Sequence, residues 1–152
     1  MEVIMKDKLT VFTKGMLDFL FYAGILTTLL VPAMIRGYGR YNRYFRENVL
    51  QLSVIFILAG IFAVLIIYEL RKIFKTVLED DCFVEENVVS LRKMGTYSFF
   101  IAAITSLRIF LYLTPAVMVV VLVFIIAGLF SKVLSQVFAK AVQYKLENDL
   151  TI

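Results

Sequence analysis

The sequence predicts an all-α integral membrane protein: an antiparallel four-helix transmembrane bundle whose helices II, III and IV run on past the bilayer into the cytoplasm. Three observations predict it. Apolar residues make up 61% of the chain and its mean hydropathy is +0.88, against an apolar share of roughly 45–50% in soluble proteins. Four apolar runs divide the 152 residues, each near the roughly 20 residues needed to cross about 30 Å of hydrocarbon. In that solvent every backbone polar group needs an internal partner, so apolar runs of this length read as helices.

Span I covers about 13–35. Lys6, Lys8 and Lys14 lead into it as in a signal peptide, but the run is longer than a secretory core and three more follow, so it is read as an uncleaved first helix. Pro32 lies near its end, where a missing donor does least harm. A short Arg/Tyr loop leads to span II, about 49–70. The polar stretch 71–93 then separates two hairpins. Its charge order is basic (Arg71, Lys72, Lys75), acidic (Glu79, Asp80, Asp81, Glu85, Glu86), then basic (Arg92, Lys93). Bases at the end of one helix and acids at the start of the next both suit the helix dipoles. Helix II is therefore extended to about Leu78, the turn placed at 79–82 with Asp80 or Asp81 as N-cap, and helix III started at about Phe83. Val84, Asn87, Val88 and Leu91 then share one helical face. Span III covers about 94–113, and span IV runs from Pro115, which suits a first helical turn, to about Phe138. Helix IV continues to about Glu147, roughly 20 Å beyond the bilayer at about 1.5 Å per residue, which leaves 139–152 as a projecting tail. Gly24, Gly60 and Gly128 are the expected points of close helix contact, all within a single domain of 1–152.

With four spans the termini share a side, and the basic residues choose it. Eleven of the 16 Lys and Arg lie on the side of the termini and central stretch, against five (Arg36, Arg40, Arg43, Arg46 and Arg108) on the other. Both termini are therefore expected in the cytoplasm. Of 12 acids only Glu47 is on the outer side, so the formal charge of +4 sits there.

Three groups of residues stand out as candidate sites. In the outer loop RGYGRYNRYFRE, Arg36, Arg40, Arg43 and Arg46 alternate with Tyr38, Tyr41, Tyr44 and Phe45. Guanidinium forks suit phosphate and tyrosines settle at headgroup depth, so the loop reads either as interfacial anchoring or as a site for anionic lipid or an acidic ligand. Gly37 and Gly39 within it read as loop flexibility. The second group, Asp18, Glu69 and Lys132, lies at one depth near the inner ends of spans I, II and IV and is predicted to form an intramembrane ion-pair cluster. Arg108, near the outer end of span III, is too far along the normal to join it and is expected to snorkel outward or meet a carbonyl or phosphate. The third is cytoplasmic: the opening face of helix III together with the end of the chain, where Leu150 and Ile152 either dock on the hinge or enter a partner's groove.

The segments CFVEENVVSLRKMG and LFSKVLSQVFAKAVQYKLENDLTI resemble the two signatures of the bacterial four-span membrane family called domain of unknown function 2975. Phe83, Glu86, Asn87, Val88, Leu91 and Arg92 fit its N-P-F-x-x-E-N-V-x-x-L-R pattern, and Glu147, Asn148, Asp149, Leu150, Thr151 and Ile152 fit its E-N-D-L-T-I ending. Asp81 and Cys82 stand where the pattern has Asn-Pro, which should loosen the turn. The resemblance implies no biochemical activity. It does imply a gene neighbour coding for a very short helix-turn-helix DNA-binding protein, and so a membrane partner that binds this regulator through the matched cytoplasmic residues.

The expected function is therefore a non-enzymatic membrane regulatory protein with the lipid bilayer and a small helix-turn-helix protein as partners, no direct nucleic-acid contact, and room for self-association. The alternatives are envelope-stress or antimicrobial-peptide self-protection through the outer loop, and, third, a small transporter or channel, for which the span centres offer only hydroxyls. The chain has no histidine and one cysteine, Cys82, so neither a disulfide framework nor imidazole chemistry is expected. No nucleophile–base pair or metal-ligand spacing stands out, and no cofactor is expected.

Overall fold

The computed structural model describes residues 2–111 and 113–150, with the side chains of 8–110 and 113–150. The chain is all-α: α1 (Glu2–Tyr38), the short α2 (Arg43–Glu47), α3 (Val49–Leu78), α4 (Glu85–Leu111) and α5 (Pro115–Leu150). Three helices are long and apolar enough to cross a membrane, over Lys8–Tyr38, Val49–Leu78 and Pro115–Leu150, with mean hydropathies of 1.7, 2.8 and 2.8. Few residues along them are buried, so most of their apolar surface faces outward. The predicted fourth span, 94–113, falls on α4, which is not among these three over the described residues; residue 112 and the side chain of residue 111 lie outside them.

Each long helix packs on its neighbour in the chain, α1 on α3, α3 on α4 and α4 on α5. Partners run antiparallel. Asp18, Gly24 and Thr28 on α1 meet Arg71, Val64 and Gly60 on α3, and Thr96 and Phe99 on α4 meet Lys132 and Gly128 on α5. Among the described residues α1 makes no close backbone approach to α4 or α5, so the fourth side of a bundle is open.

The predicted glycines mark the tightest crossings. A Cβ on Gly60 would lie 2.6 Å from Thr28 Oγ1, and one on Gly128 would lie 2.7 Å from Phe99 Cε1. Lipid tails are as apolar as Leu, so helix pairs here are held by close van der Waals contact, which small residues permit. The inner stripe of α5 follows the same rule: Gly128, Ser131, Ser135 and Val142 recur at three-, four- and seven-residue steps. Helix α4 is the most enclosed, with Asn87, Val88, Ser90, Leu91, Met94, Ser98, Ile101, Ala102 and Thr105 buried. At the end of the molecule carrying the α3–α4 turn, Ile73, Leu91 and Met94 form a buried cluster with Leu70, Leu134 and Phe138 against it.

The loop end is more ordered than a flexible loop. Helix α1 continues through Pro32 to Tyr38, four residues from Asn42, which caps α2 by accepting from the Tyr44 amide at 2.9 Å. Gly39 is a packing position and not a flexible one: a Cβ there would lie 3.2 Å from Arg46 Cα.

Candidate functional site

The turn between α3 and α4 is built by two devices. Helix α3 ends in a Schellman motif: the Asp81 amide donates to Thr76 O at 3.0 Å and the Asp80 amide to Val77 O at 3.1 Å. Asp80 occupies the left-handed position, φ 55°, where glycine is usual. The predicted N-cap role of Asp80 or Asp81 is thereby corrected: both belong to the end of α3, and α4 starts at Glu85, two residues later than expected. The second device is Asn87. It is 1% exposed, and its Nδ2 donates to Thr76 Oγ1 at 2.7 Å and to Cys82 O at 2.6 Å. Thr76 in turn donates its hydroxyl to Ile73 O at 2.6 Å. One side-chain amide thus ties the first turn of α4 to the last turn of α3 and to the chain between them.

The projecting end of α5 lies against this turn. The rings of Phe83 and Phe138 meet edge to face with centroids 5.3 Å apart, and the Lys145 ammonium donates to the Asp81 carboxylate. That hydrogen bond is the largest influence on Lys145 and holds its pKa above the ordinary lysine value. Beside these contacts a polar cleft of about 290 Å³ is lined by Lys72, Thr76, Glu85, Glu86, Asn87, Val89 and Ser90. Beyond Lys145, Leu146 and Leu150 are exposed one turn apart, Leu150 by 86%.

This geometry sorts the residues expected to bind a partner. Asn87, Val88 and Leu91 are buried, so their face packs on the protein itself and positions the turn. Phe83, Glu86, Arg92, Glu147, Asn148, Asp149 and Leu150 lie at the surface. Ile152 lies outside the described residues. Leu150 is exposed and not docked on the hinge; the contacts of α5 with the turn lie earlier, at Phe138 and Lys145.

The predicted cluster of Asp18, Glu69 and Lys132 is dispersed. Asp18 accepts from Lys14 at 2.8 Å, one turn away, and from Arg71 Nε at 2.6 Å across the α1–α3 contact. Arg71 also stacks over Phe21, 4.4 Å from the ring centroid. The buried Glu69 has Lys72 Nζ 3.0 Å from Oε2. Lys132 donates to Thr96 Oγ1 at 2.7 Å, its stem lying over Gly95, where a Cβ would come within 2.9 Å of Cγ. The physical reason is helix rotation: residues 69 and 71 lie about 200° apart around α3, so Arg71 and not Glu69 faces Asp18. Sequence reasoning counted Arg71 as a hinge base and overlooked Gly95. The available signals were the helical extension to Leu78 and a lone glycine opposite a lysine.

At the loop end, Arg43 Nε pairs with Glu47 at 2.7 Å and Arg46 Nε donates to Gly39 O at 3.0 Å. Arg36, Arg40 and Tyr41 are exposed, and no ion pair among the described residues involves Arg36 or Arg40. Arg108 is the unusual one. Its guanidinium stacks over Phe56, 4.8 Å from the ring centroid, while its Nε is buried without a hydrogen-bond partner.

Comparison with known protein families gives a match over residues 25–152 to the family described as "Protein of unknown function (DUF2975)". The chain belongs to this family. The matched region takes in the Schellman turn, Asn87, the Arg108 site and the whole of α5, and leaves out Asp18. It thus bears out the resemblance carried by the Phe83–Arg92 and Glu147–Ile152 motifs. Neither a curated protein nor a solved structure matches the chain. No group of His, Cys, Asp and Glu among the described residues is arranged to hold a metal ion.

Proposed function

We propose that this is a non-enzymatic protein of the bacterial cell membrane, with α1, α3, α4 and α5 as four antiparallel spans, both termini in the cytoplasm, and a cytoplasmic face that binds a small helix-turn-helix regulator. The observation that carries the reading is the clasp between the α3–α4 turn and α5, through Phe83–Phe138 and Asp81–Lys145. It sets a rigid base from which the last turns of α5 project with Leu146 and Leu150 exposed. An apolar pair one turn apart, beside Glu147 and Asp149, is the form in which a helix enters a groove on a partner protein. Acids in that position favour a basic partner surface, which DNA-binding proteins possess.

The test is capture of the regulator encoded beside the gene by protein held in nanodiscs. Leu146→Ser with Leu150→Ser should reduce capture at least tenfold, since both side chains are exposed and the fold does not need them. Capture retained by this double variant would overturn the assignment.

A second reading has its own observation. Arg36 and Arg40 are exposed and unpaired by acids, whereas Arg43 and Arg46 are engaged within the loop. Self-protection through the outer loop would therefore rest on the first two. Arg36→Gln with Arg40→Gln should abolish resistance to membrane-active peptides, and Arg43→Gln should not.

A further inference from the structure

The open side of the fold is a groove, and Arg108 stands in it. About 430 Å³ of space is enclosed between four helices, lined by Thr27 and Val31 of α1, Phe56 and Ala59 of α3, Arg108 of α4 and Val120 of α5, among others. The lining is mostly apolar, with Arg108 its one charged residue and Thr27, Thr28, Thr105 and Thr114 its hydroxyls. A second apolar cleft shares Thr27, Val31 and Phe56 with it and reaches toward Tyr38 and Phe45 at the loop end.

A guanidinium donor buried without an acceptor is costly in this setting, so it needs an explanation in what completes it. The ring of Phe56 covers one face of Arg108 but accepts nothing at Nε. None of the hydroxyls that line the groove, Thr27, Thr28, Thr105 and Thr114, accepts a hydrogen bond from Arg108 Nε. An acceptor that reaches Nε from the groove would satisfy it, and an anion would answer the guanidinium charge as well.

We propose that the groove holds one acyl chain of an anionic bilayer phospholipid, with its phosphate accepting from Arg108. Charge favours a lipid over a second copy of the protein. Along α3 the lining runs from Ile55 to Ala63, about 12 Å at about 1.5 Å per residue, with Arg108 the one charged residue of the groove. An apolar helix laid there would bring Arg108 no anion, whereas a phospholipid joins an acyl chain to one. Selectivity resides in the headgroup: moving an acyl chain from lipid to an apolar groove gains little, because both surroundings are equally apolar. A guanidinium matches phosphate oxygens by paired hydrogen bonds, and Arg108, in the last turn of α4, lies where headgroups are within its reach.

The experiment is native mass spectrometry of the full chain released from nanodiscs of equal phosphatidylglycerol and phosphatidylcholine. The wild type should retain phosphatidylglycerol about tenfold over phosphatidylcholine, whose phosphate offers the same acceptor but whose choline cation opposes the guanidinium charge. Arg108→Gln should bring the ratio near one, and Ala59→Phe, which fills the groove and leaves Arg108 in place, should do the same. Replacing Arg36, Arg40, Arg43 and Arg46 together by Gln should leave the preference within threefold of wild type. The proposal is overturned if Arg108→Gln or Ala59→Phe, helical and monodisperse, keeps the wild-type ratio, if the loop variant loses it, or if the wild type carries a second copy and no lipid.

Discussion

Replacing Asn87 by Ala removes both side-chain hydrogen bonds by which it ties α4 to the end of α3 and to the turn. Each is a buried side-chain hydrogen bond with a net contribution of about 1 kcal/mol, so the turn should lose about 2 kcal/mol. In opening equilibrium that is about thirtyfold, at about 1.4 kcal/mol per tenfold. The place to read it is amide hydrogen exchange in nanodiscs at Asp80 and Asp81, whose amides donate to Val77 O and Thr76 O. Those bonds open when the Schellman motif frays, and not when spans separate. Asn87→Asp should be worse, by more than about 3 kcal/mol, because it sets a carboxylate oxygen against Cys82 O and a Thr76 hydroxyl already donated to Ile73. Thr76→Val should cost about half as much as Asn87→Ala, and the two together should fall short of additivity, since they share a bond. Exchange that rises less than threefold in Asn87→Ala would refute the role of Asn87 in holding the turn. Loss of regulator capture with exchange unchanged would return Asn87 to the role of a direct contact.

Asp80→Gly should stabilise the protein by about 0.5–1 kcal/mol against denaturant, because Asp80 combines a left-handed backbone with a negative charge at a helix C-terminus. Gly128→Ala should destabilise the α4–α5 pair by about 1–3 kcal/mol in detergent unfolding, and Phe99→Leu should recover part of that loss by yielding the space. The Lys145–Asp81 contact has a defined pH window. Lys145 is held above its ordinary value by the Asp81 hydrogen bond, so its contribution is fully present below about 10.4 and is lost as the pH rises through the raised folded value. Spin labels at Glu79 and Leu146 should keep one distance from pH 7 to 9.5 and spread above about 10.5. Lys145→Ala should show that spread already at pH 7.

Much of the fold was legible because the bilayer imposes it. Run length gave the four long helices, and three of the tight glycine crossings fell where small residues interrupt apolar runs. The turn was harder. A run of acids between two helices reads as N-cap chemistry by composition, yet a Schellman motif is a matter of backbone hydrogen bonds and a left-handed residue, which Asp80 adopts against its usual preference. The Asp18 pairing failed for a related reason. Position along the helices is readable from run length, but which faces meet depends on helix rotation, which composition does not encode. Arg71 was the better partner because it combines the right level, the right face and two aromatic rings beneath it. Arg108 stands apart from Asp18, Glu69 and Lys132, against Phe56. Its orphaned Nε and the groove around it follow from the packing of helices distant in sequence.

Helix α4 shows why hydropathy and structural centrality part company in such a protein. A lipid-facing helix must be apolar on every outward side, as α1, α3 and α5 are. A helix flanked by two others need not be, and α4 fills its inner face with Asn87, Ser90, Ser98 and Thr105, each with little or no exposure. Its hydroxyls find acceptors in its own backbone, as Ser98 does on Met94 O and Ser106 on Ala102 O, so they add bulk no larger than a small side chain and no unmet polarity. Close approach on both sides is what this achieves: Phe99 reaches the backbone at Gly128, and Lys132 lays its stem across Gly95. The same closeness at the other end of α4 brings Asn87 within reach of Thr76 and seats Phe83 on Phe138. The least apolar of the long helices is thus the one on which both the clasped turn and the Arg108 groove depend.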